Sequence, residues 1–238
     1  MTEIRTAIPE EIARYLDSLV RAGPFASKAE LVRAALMAYA TTAGPLAQGF
    51  DKETILAPDG RIYQLEYARE AALRGLPAVG VVYEGGVVLA APLQAKSKLQ
   101  RVSKIQRIGE HAAIASAGLV ADADQAVRHV RQAKPKTTDD LVGEFIDFFW
   151  RHTIERTKRP LGVALLIASA LDGESRLFYL DPSAALVEYA AAAIGEGEKD
   201  RFEVLERRYR RGKAKEAEAL ALDALGKPKA YEAVHIPV

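Results

Sequence analysis

Residues 58–71 read PDGRIYQLEYAREA, and this stretch joins a turn signal to a helix of mixed composition. The turn is a Pro-Asp-Gly run, whose residues favour tight turns. The helix then carries tyrosines at positions 63 and 67 among four charged residues, Arg61, Glu66, Arg69 and Glu70. A helix that only faces solvent needs no such mixture. The stretch therefore indicates a segment with a specific role, although it begins nearly sixty residues into the chain.

The composition is that of a soluble globular protein. The chain has 238 residues, of which 49% are hydrophobic and 27% charged, and this length suits one large domain or a medium domain with a small one. Basic and acidic residues number 33 and 32, which leaves a net charge of +1. No overall field attracts nucleic acid or an anionic membrane, so any such binding requires a local patch.

Several kinds of chemistry are excluded by residue content. The chain has no cysteine, so it has no disulfide, thiolate metal site or cysteine nucleophile. Its four histidines are scattered and never four residues apart, which argues against a helical metal site. We expect no cofactor. The absence of asparagine, with only two methionines, indicates a hot habitat, although a GC-rich genome explains it equally well.

The N-terminal sequence MTEIRTAIPEEI is mixed in charge and lacks the apolar core of a signal peptide. No run of 18 apolar residues suggests a membrane span. We therefore expect a cytoplasmic protein without a membrane partner.

The first part of the chain predicts one strand and two helices. Residues 3–8, EIRTAI, alternate with the period of a strand, and Pro9 stands where a helix tolerates proline. Ser27 and Glu30 have the spacing of a capping box for a second helix. So small a unit cannot bury a core alone, and a lone strand has two open edges. The unit is therefore predicted to dimerise.

A linker is predicted where periodicity is lost. TAGPLAQGF at 42–50 contains two glycines and a proline between the two periodic regions. The predicted boundaries are residues 1–43 for the small domain, 44–50 for the linker and 51–238 for the large domain.

The small domain resembles the ribbon-helix-helix domain of DNA-binding repressors, chiefly through GPFASKAELVR at 23–33. In that family the ribbon's outward side chains read the major groove, and the start of the second helix contacts phosphate. The resemblance assigns the groove-facing positions to Glu3, Arg5 and Ala7, and the phosphate contacts to Ser27 and Lys28. Five basic and five acidic residues balance over positions 1–45. DNA binding and simple dimerisation therefore both remain open.

The large domain predicts strands and helices in alternating pairs. VGVVYEGGVVLAA at 79–91 has the pattern of a β-hairpin, and residues 105–118 predict a second pair of strands. Two helices, further strands, two more helices and a last strand follow. This order indicates an α+β fold in which antiparallel sheets lie between helix layers.

Five motifs in register make the large domain similar to a proteasome α subunit of the archaeal type; they are PDGRIYQLEYAREA, GVVLAA, SAGLVADA, RPLGVALLIA and LDPSAALVEYAAAAIG. The resemblance covers nearly all of residues 50–238. It implies a four-layer αββα Ntn-hydrolase sandwich, assembled in seven-membered rings, in which α subunits guide entry and bind activators. Residues 58–71 would then form the helix that is specific to α subunits.

The same resemblance implies that the chain is not a protease. The catalytic β relatives use an N-terminal threonine freed after a glycine, with its own amine as base. Leu76, which follows Gly75, falls at that position and has no nucleophilic atom. Pro92 stands where the catalytic subunits carry an acidic residue after the hairpin.

Activator docking is also implied by the resemblance. Tails of regulatory ATPases enter pockets between adjacent α subunits, where a lysine meets the tail carboxylate. We assign that position to Arg107 in SKIQRIGE, which keeps the charge with a different geometry. The remaining assignments are Gly118, Glu66, Arg69 and Gly60 for the pocket, and Pro58, Tyr67 and Asp51 for the gate and ring.

Three departures predict a divergent paralogue. The region 121–140 is shorter than in typical α subunits by about two helical turns, the usual last helix is missing, and a folded unit replaces the flexible gate peptide. The leading interpretation is a non-catalytic α-type subunit that pairs with itself, with β subunits and a regulatory ATPase as further partners. The alternative is a DNA-binding regulator that oligomerises through its large domain.

Overall fold

The computed structural model describes residues 7–23, 25–47, 49–94, 99 and 103–238. The chain divides into two compact units, Met1–Asp51 with Leu56–Arg61, and Lys52–Ile55 with Ile62–Val238. The strand predicted for residues 3–8 lies almost entirely outside the described residues, and so do Glu3 and Arg5. That strand and its groove-facing side chains stay predictions.

The first unit contains two helices, α1 (Glu10–Ala22) and α2 (Lys28–Ala47). Pro9 immediately precedes α1, and the hydroxyl of Ser27 accepts a hydrogen bond of 3.2 Å from the backbone N–H of Glu30, as predicted. The Glu30 carboxylate reaches one residue farther back than a capping box requires, and accepts from the N–H of Ala26 at 2.8 Å. Both orphan donors are nevertheless satisfied at the start of α2.

Helix α2 continues farther than the sequence predicts. It runs through Gly44 and Pro45 to Ala47, whereas residues 44–50 were predicted to be a linker. A proline this close to a helix end removes a single backbone hydrogen bond, so the helix continues past it. The predicted linker thus begins inside a helix, and the domain boundaries themselves stay a prediction.

The second unit has two antiparallel sheets. Their orders are β8-β1-β2-β9 and β3-β4-β5-β6-β7. The elements of this unit are α3 (Tyr63–Leu73), β1 (Ala78–Tyr83), β2 (Gly86–Pro92), β3 (Ile105–Arg107), β4 (Ala112–Gly118), α4 (Val120–Ala133), α5 (Thr138–Ile154), β5 (Val163–Ser169), β6 (Arg176–Leu180), β7 (Leu186–Glu188), β8 (Ala191–Ile194), α6 (Glu198–Arg208), α7 (Ala214–Ala224) and β9 (Tyr231–Pro237).

The hairpin predicted at 79–91 is confirmed. Tyr83 pairs with Gly86, which leaves a two-residue turn of Glu84 and Gly85 between β1 and β2. Gly85 has φ +85°, a conformation that tight hairpin turns require and that glycine adopts without strain.

Four layers result from the way the strands alternate. Along β1 and β2, successive side chains point to opposite faces of the sheet. One set packs in the core between the sheets, and the other packs against α6 and α7. The outer faces of β4, β5 and β6 pack on α4 and α5 around Phe145 and Phe149, which are fully buried. Helices therefore cover both outer faces of the stacked sheets, as the αββα prediction requires.

The inter-sheet core is built mainly of small side chains. On β4 it is formed by Ala113, Ala115 and Ala117, and on β1 it includes Gly80. A Cβ atom added at Gly80 would lie 2.7 Å from the side chain of Leu177 on the other sheet. The small residue at position 80 thus accommodates Leu177 of the facing sheet, and the packing leaves no room for a methyl group at Gly80.

Three glycines permit backbone to meet backbone where α3 joins β1. A Cβ on Gly75 would lie 2.1 Å from the nitrogen of Gly118, and a Cβ on Gly195 would lie 2.7 Å from the carbonyl oxygen of Gly75. The carbonyl of Gly75 also accepts the N–H of Glu196 at 2.8 Å. The segment before β1 therefore contacts both sheets, through Gly118 at the end of β4 and through Gly195 after β8.

We predict that Gly75→Ala lowers the free energy of unfolding by at least about 3 kcal/mol, because a methyl group there meets backbone that cannot move aside. Gly143→Ala is the matched control. Gly143 lies in α5, where an added Cβ meets nothing within 4 Å, so its replacement should stabilise the chain by about 0.5–1 kcal/mol. Chemical denaturation followed by circular dichroism measures both, and equal stability of the two variants would contradict the close approach.

Candidate functional site

The segment that leads from α3 into β1 meets a lysine that the sequence did not single out. The Nζ of Lys104 donates a hydrogen bond to the carbonyl oxygen of Leu76 and lies 3.4 Å from that of Pro77. Glu232 of β9 holds the lysine in place, since its carboxylate accepts the backbone N–H of Lys104 at 2.9 Å and the hydroxyl of Ser103 at 2.8 Å. Two parts of the chain thus position the ammonium group: β9, through Glu232, and the segment before β1, through its carbonyl oxygens.

Burial lowers the pKa of Lys104 to about 8. Desolvation disfavours a charged amine, and the carbonyl oxygens around it supply only part of the lost hydration. A carboxylate that reached this ammonium would form a charge-assisted hydrogen bond in a dry setting, where such bonds are strong. The site is suited to binding an anion.

Arg107, the residue assigned to activator docking, lies elsewhere. It pairs with Ala113 at the opposite end of β4 from Gly118, five residues or about 17 Å away along the strand. Its guanidinium donates to the carbonyl of His235 at 3.2 Å. The structure therefore does not bring Arg107 together with Gly118.

Lys104 does lie near Gly118. It contacts the carbonyl of Leu76, and the neighbouring Gly75 touches the backbone of Gly118. A signal for it was present in the sequence, since the resemblance called for a lysine and one stands three residues before Arg107 in the same SKIQR stretch. The local pattern could not distinguish the two cations, because their separation depends on strand register.

Gly118 stands where three chain segments meet. It has φ +121°, and a Cβ there would lie 2.2 Å from the carbonyl oxygen of Gly162 and 3.0 Å from Cα of Ala72 on α3. Only glycine adopts this conformation without strain and allows this approach. The last turn of α3 is therefore seated against the ends of β4 and β5.

Asp122 fixes the same junction from the other side. This buried carboxylate accepts two hydrogen bonds from Arg159, at 2.7 and 2.8 Å, and one of 2.8 Å from the N–H of Gly162. Burial alone would raise the pKa of Asp122. The bonds from Arg159 and Gly162, together with the charge of the guanidinium, outweigh burial and hold the pKa below its usual value.

Helix α3 begins at Tyr63, within the stretch 58–71 that the sequence assigns to the turn and the helix together. Tyr63 is 3% exposed and Tyr67 is 47% exposed, so one tyrosine belongs to the core and the other to the surface. Glu66 is half-buried. Arg69 donates to one carboxylate oxygen of Asp181 from Nε and from one terminal nitrogen, at 3.1 and 2.9 Å, and to Ser183 at 3.1 Å. Arg69 therefore ties α3 to the turn between β6 and β7.

The turn predicted at 58–60 is confirmed in the first unit. The N–H of Gly60 donates to the carbonyl of Ala57 at 2.9 Å, Asp59 accepts from the N–H of Arg61, and Gly60 has φ +82°. Pro58 is exposed within this turn. Asp51, assigned to the gate, is half-buried.

The side chains assigned to phosphate contact are engaged within the first unit. Ser27 caps α2, and Nζ of Lys28 forms an ion pair of 2.9 Å with Asp17 on α1. A lysine paired in this way brings less free charge to a phosphate.

Among the described residues, no three His, Asp or Glu side chains come together in a group able to hold a metal ion. Likewise, no described helix combines the length and the apolar character that crossing a membrane would take.

Comparison with known proteins gives one consistent family. The family model described as proteasome subunit matches residues 72–231. Proteasome subunit alpha 2 of Haloarcula marismortui is 43% identical over 178 residues, which cover 69% of this chain and 73% of that protein. Proteasome subunit alpha of Methanococcus vannielii is 41% identical over 195 residues, 76% of this chain and 75% of that protein. The subunit of the same name from Methanopyrus kandleri is 40% identical over 195 residues, with 76% and 79% covered.

We predict that Asp122→Asn lowers the free energy of unfolding at pH 7 by about 1–3 kcal/mol, since charge-assisted hydrogen bonds to Arg159 are lost. The folded pKa of Asp122 is lowered, so its contribution is present above the usual Asp pKa of about 3.9 and is lost as pH falls through the folded value. The gap between wild type and variant should therefore close below about pH 4.

Urea denaturation between pH 3 and 7 measures this gap. Asp147→Asn is the control, because Asp147 is exposed on α5 and forms no ion pair among the described residues. A gap for Asp122→Asn that persists unchanged to pH 3 would show that the ionised carboxylate does not stabilise the junction.

Proposed function

Since this chain belongs to the family of proteasome α subunits, we propose that it is a non-catalytic α-type subunit that assembles with copies of itself into a ring. The observation that carries the proposal is the position of Leu76. This residue lies two positions before the start of β1 inside the chain, its carbonyl accepts a hydrogen bond from Lys104, and its side chain offers only hydrocarbon atoms. An Ntn-type hydrolase needs a free N-terminal nucleophile at that place.

A surface near α3 supports assembly. Leu73 at the end of α3, and Leu119 and Val120 at the start of α4, are 42%, 44% and 71% exposed. Leu119 is close to Ala71 of α3, because a Cβ on Gly162 would touch both side chains. Exposed apolar residues that cluster in this way are typical of subunit contacts. Tyr67 adds a half-exposed ring on α3.

We further propose that Lys104, in place of Arg107, receives the terminal carboxylate of an activator tail. Lys104 is the cation beside Leu76 and the Gly75–Gly118 contact, and its burial makes an incoming carboxylate a stabilising partner. Glu66 and Arg69 then belong to the helix that borders the pocket, where Arg69 serves to hold α3 through Asp181.

The first unit is proposed to pair with a second copy. Helix α1 has no buried side chain, and its apolar residues Ile12 and Tyr15 are 49% and 62% exposed. Two helices with an uncovered apolar face cannot hold a fold alone. Seven copies in one ring cannot all pair within it, but two rings placed face to face satisfy every copy with dihedral symmetry.

Native mass spectrometry of the full chain tests the assembly. We expect a double ring, since pairing between rings buries the apolar face of α1. The double variant Ile12→Glu, Tyr15→Glu should yield single rings, because two buried carboxylates without partners oppose pairing. Arg14→Glu on the same helix is the control and should leave double rings intact. Monomers alone in the wild type would overturn the proposal of a ring.

Peptide binding to the assembled chain tests the pocket. We expect a peptide with a free C-terminal carboxylate to bind, and the same peptide with an amidated terminus to bind at least about tenfold more weakly. Lys104→Ala should abolish the difference, whereas Arg107→Ala should preserve it. Affinity should also fall as pH rises above about 8, because the amine of the empty pocket then loses its proton.

Fluorescence anisotropy from pH 6.5 to 9.5 measures these affinities. The reverse pattern, with loss in Arg107→Ala and none in Lys104→Ala, would assign the pocket to Arg107. The ring measurement is independent of this one, so failure of docking does not affect the proposal of assembly.

A further inference from the structure

A groove of about 440 Å³ separates the C-terminal half of α4 from the edge strand β3. Its lining contains three cations, two amides and one carboxylate: Arg128, Arg131, Lys134, Gln106, Gln132 and Asp124. We call this feature the α4 groove. Its residue on β3, Gln106, pairs with Ile114 in the middle of β4, whereas Lys104 contacts the segment before β1 through the carbonyl of Leu76. The groove therefore shares no residue with the pocket proposed for activators.

The cations of the α4 groove are exposed and have no acidic partner. In the described part of the chain, none of Arg128, Arg131 and Lys134 takes part in an ion pair. Elsewhere on this unit, Arg159 and Arg176 are paired with carboxylates. The single carboxylate of the lining, Asp124, already accepts a hydrogen bond of 2.8 Å from Gln106. Positive charge is therefore left uncompensated in a concave place.

Part of this charge has a local explanation. The negative end of the α4 dipole stabilises cations in the last turn, which accounts for Arg131 and Lys134. Arg128 lies more than one turn before the helix end, so the dipole does not account for it. The strand side of the groove contributes the amide of Gln106 and no cation.

Hydrogen bonds between the two elements hold the groove in shape. A terminal nitrogen of Arg131 donates to the carbonyl of Arg107 at 2.7 Å, and Arg107 in turn donates to the carbonyl of His235 at 3.2 Å. The guanidinium of Arg131 keeps further N–H donors for a ligand. Its orientation is set before binding, which lowers the entropy lost when a ligand binds.

We propose that the α4 groove binds a segment of another polypeptide that is rich in aspartate and glutamate. Carboxylates match the forked donors of arginine, and the two glutamine amides can bind the peptide backbone. A nucleic acid fits less well, because the lining has no aromatic ring on which a base could stack. The groove is also short, which suits a few side chains.

The test measures binding of labelled peptides to the full chain by fluorescence anisotropy at low salt. The probe is a peptide of about eight glutamates, with a glutamine peptide of equal length for comparison. The groove variant combines Arg128→Gln, Arg131→Gln and Lys134→Gln. The matched control combines Arg210→Gln, Arg211→Gln and Lys215→Gln, which removes the same charge from exposed residues that form no ion pair in the described structure.

We expect the glutamate peptide to bind, and the groove variant to lose at least about tenfold in affinity while the control loses less than about twofold. The single variant Arg128→Gln should show a smaller loss, and it serves if the triple variant proves unstable on heating. Equal losses in the two triple variants, or no binding of the wild type at low salt, would overturn the proposal. A single-stranded oligonucleotide of equal charge that binds as tightly and depends on the same residues would overturn it in favour of nucleic acid.

Discussion

The close stacking of the two sheets through small side chains is the constraint on which the rest of this protein depends. Alanines such as Ala113, Ala115 and Ala117 face the other sheet, while larger residues of the same strands face the helices. Adding volume between the sheets would force them apart, at a cost of about 1–3 kcal/mol for each methylene group. Both sheets must therefore be covered on their outer faces, where the large side chains find their contacts.

The same close approach fixes the segment that joins α3 to β1 at one end of the two sheets. Because Gly75 touches the backbone of Gly118, the segment before β1 is fixed on both sides and continues into α3. In the function proposed above, Leu76 takes the place of an Ntn-type nucleophile, and in the structure it lies inside a continuous chain between α3 and β1. Two charged side chains, the buried Asp122 and the half-buried Lys104, then have opposite roles near this segment. Asp122 has three hydrogen-bond donors and stabilises the junction, whereas Lys104 has only carbonyl oxygens.

This difference follows from desolvation. The pKa of Lys104 falls from an ordinary 10.5 to about 8, which corresponds to about 3 kcal/mol against the charged form. An incoming carboxylate would recover much of that energy, because two opposite charges in a dry site attract strongly. The charged form of Asp122 is not destabilised in this way, because hydrogen bonds from Arg159 and a backbone N–H replace the hydration that burial removes. A site for an external anion and a structural ion pair can therefore lie close together without competing.

The periodicity of apolar residues and the positions of turn-forming residues were enough to predict most elements of the second unit. The hairpin around Gly85, the paired helices α4 and α5, and the closing strand β9 all follow from local patterns. Local rules failed at Pro45, which they treat as a helix end although α2 continues to Ala47. Local patterns also do not give the distance between Arg107 and Gly118, because strand pairing sets it.

By itself, the sequence determined the layered α+β architecture, the lack of thiol chemistry and the absence of a nucleophilic side chain at position 76. These depend on residue identity and on periods of two or 3.6 residues, which are local properties. Only the tertiary structure decided that Lys104 is the cation beside Leu76, that Arg69 is tied to Asp181, and that Arg128 and Arg131 line one groove with Gln106. Those relations join residues far apart in the chain, and the register of the packed strands sets them.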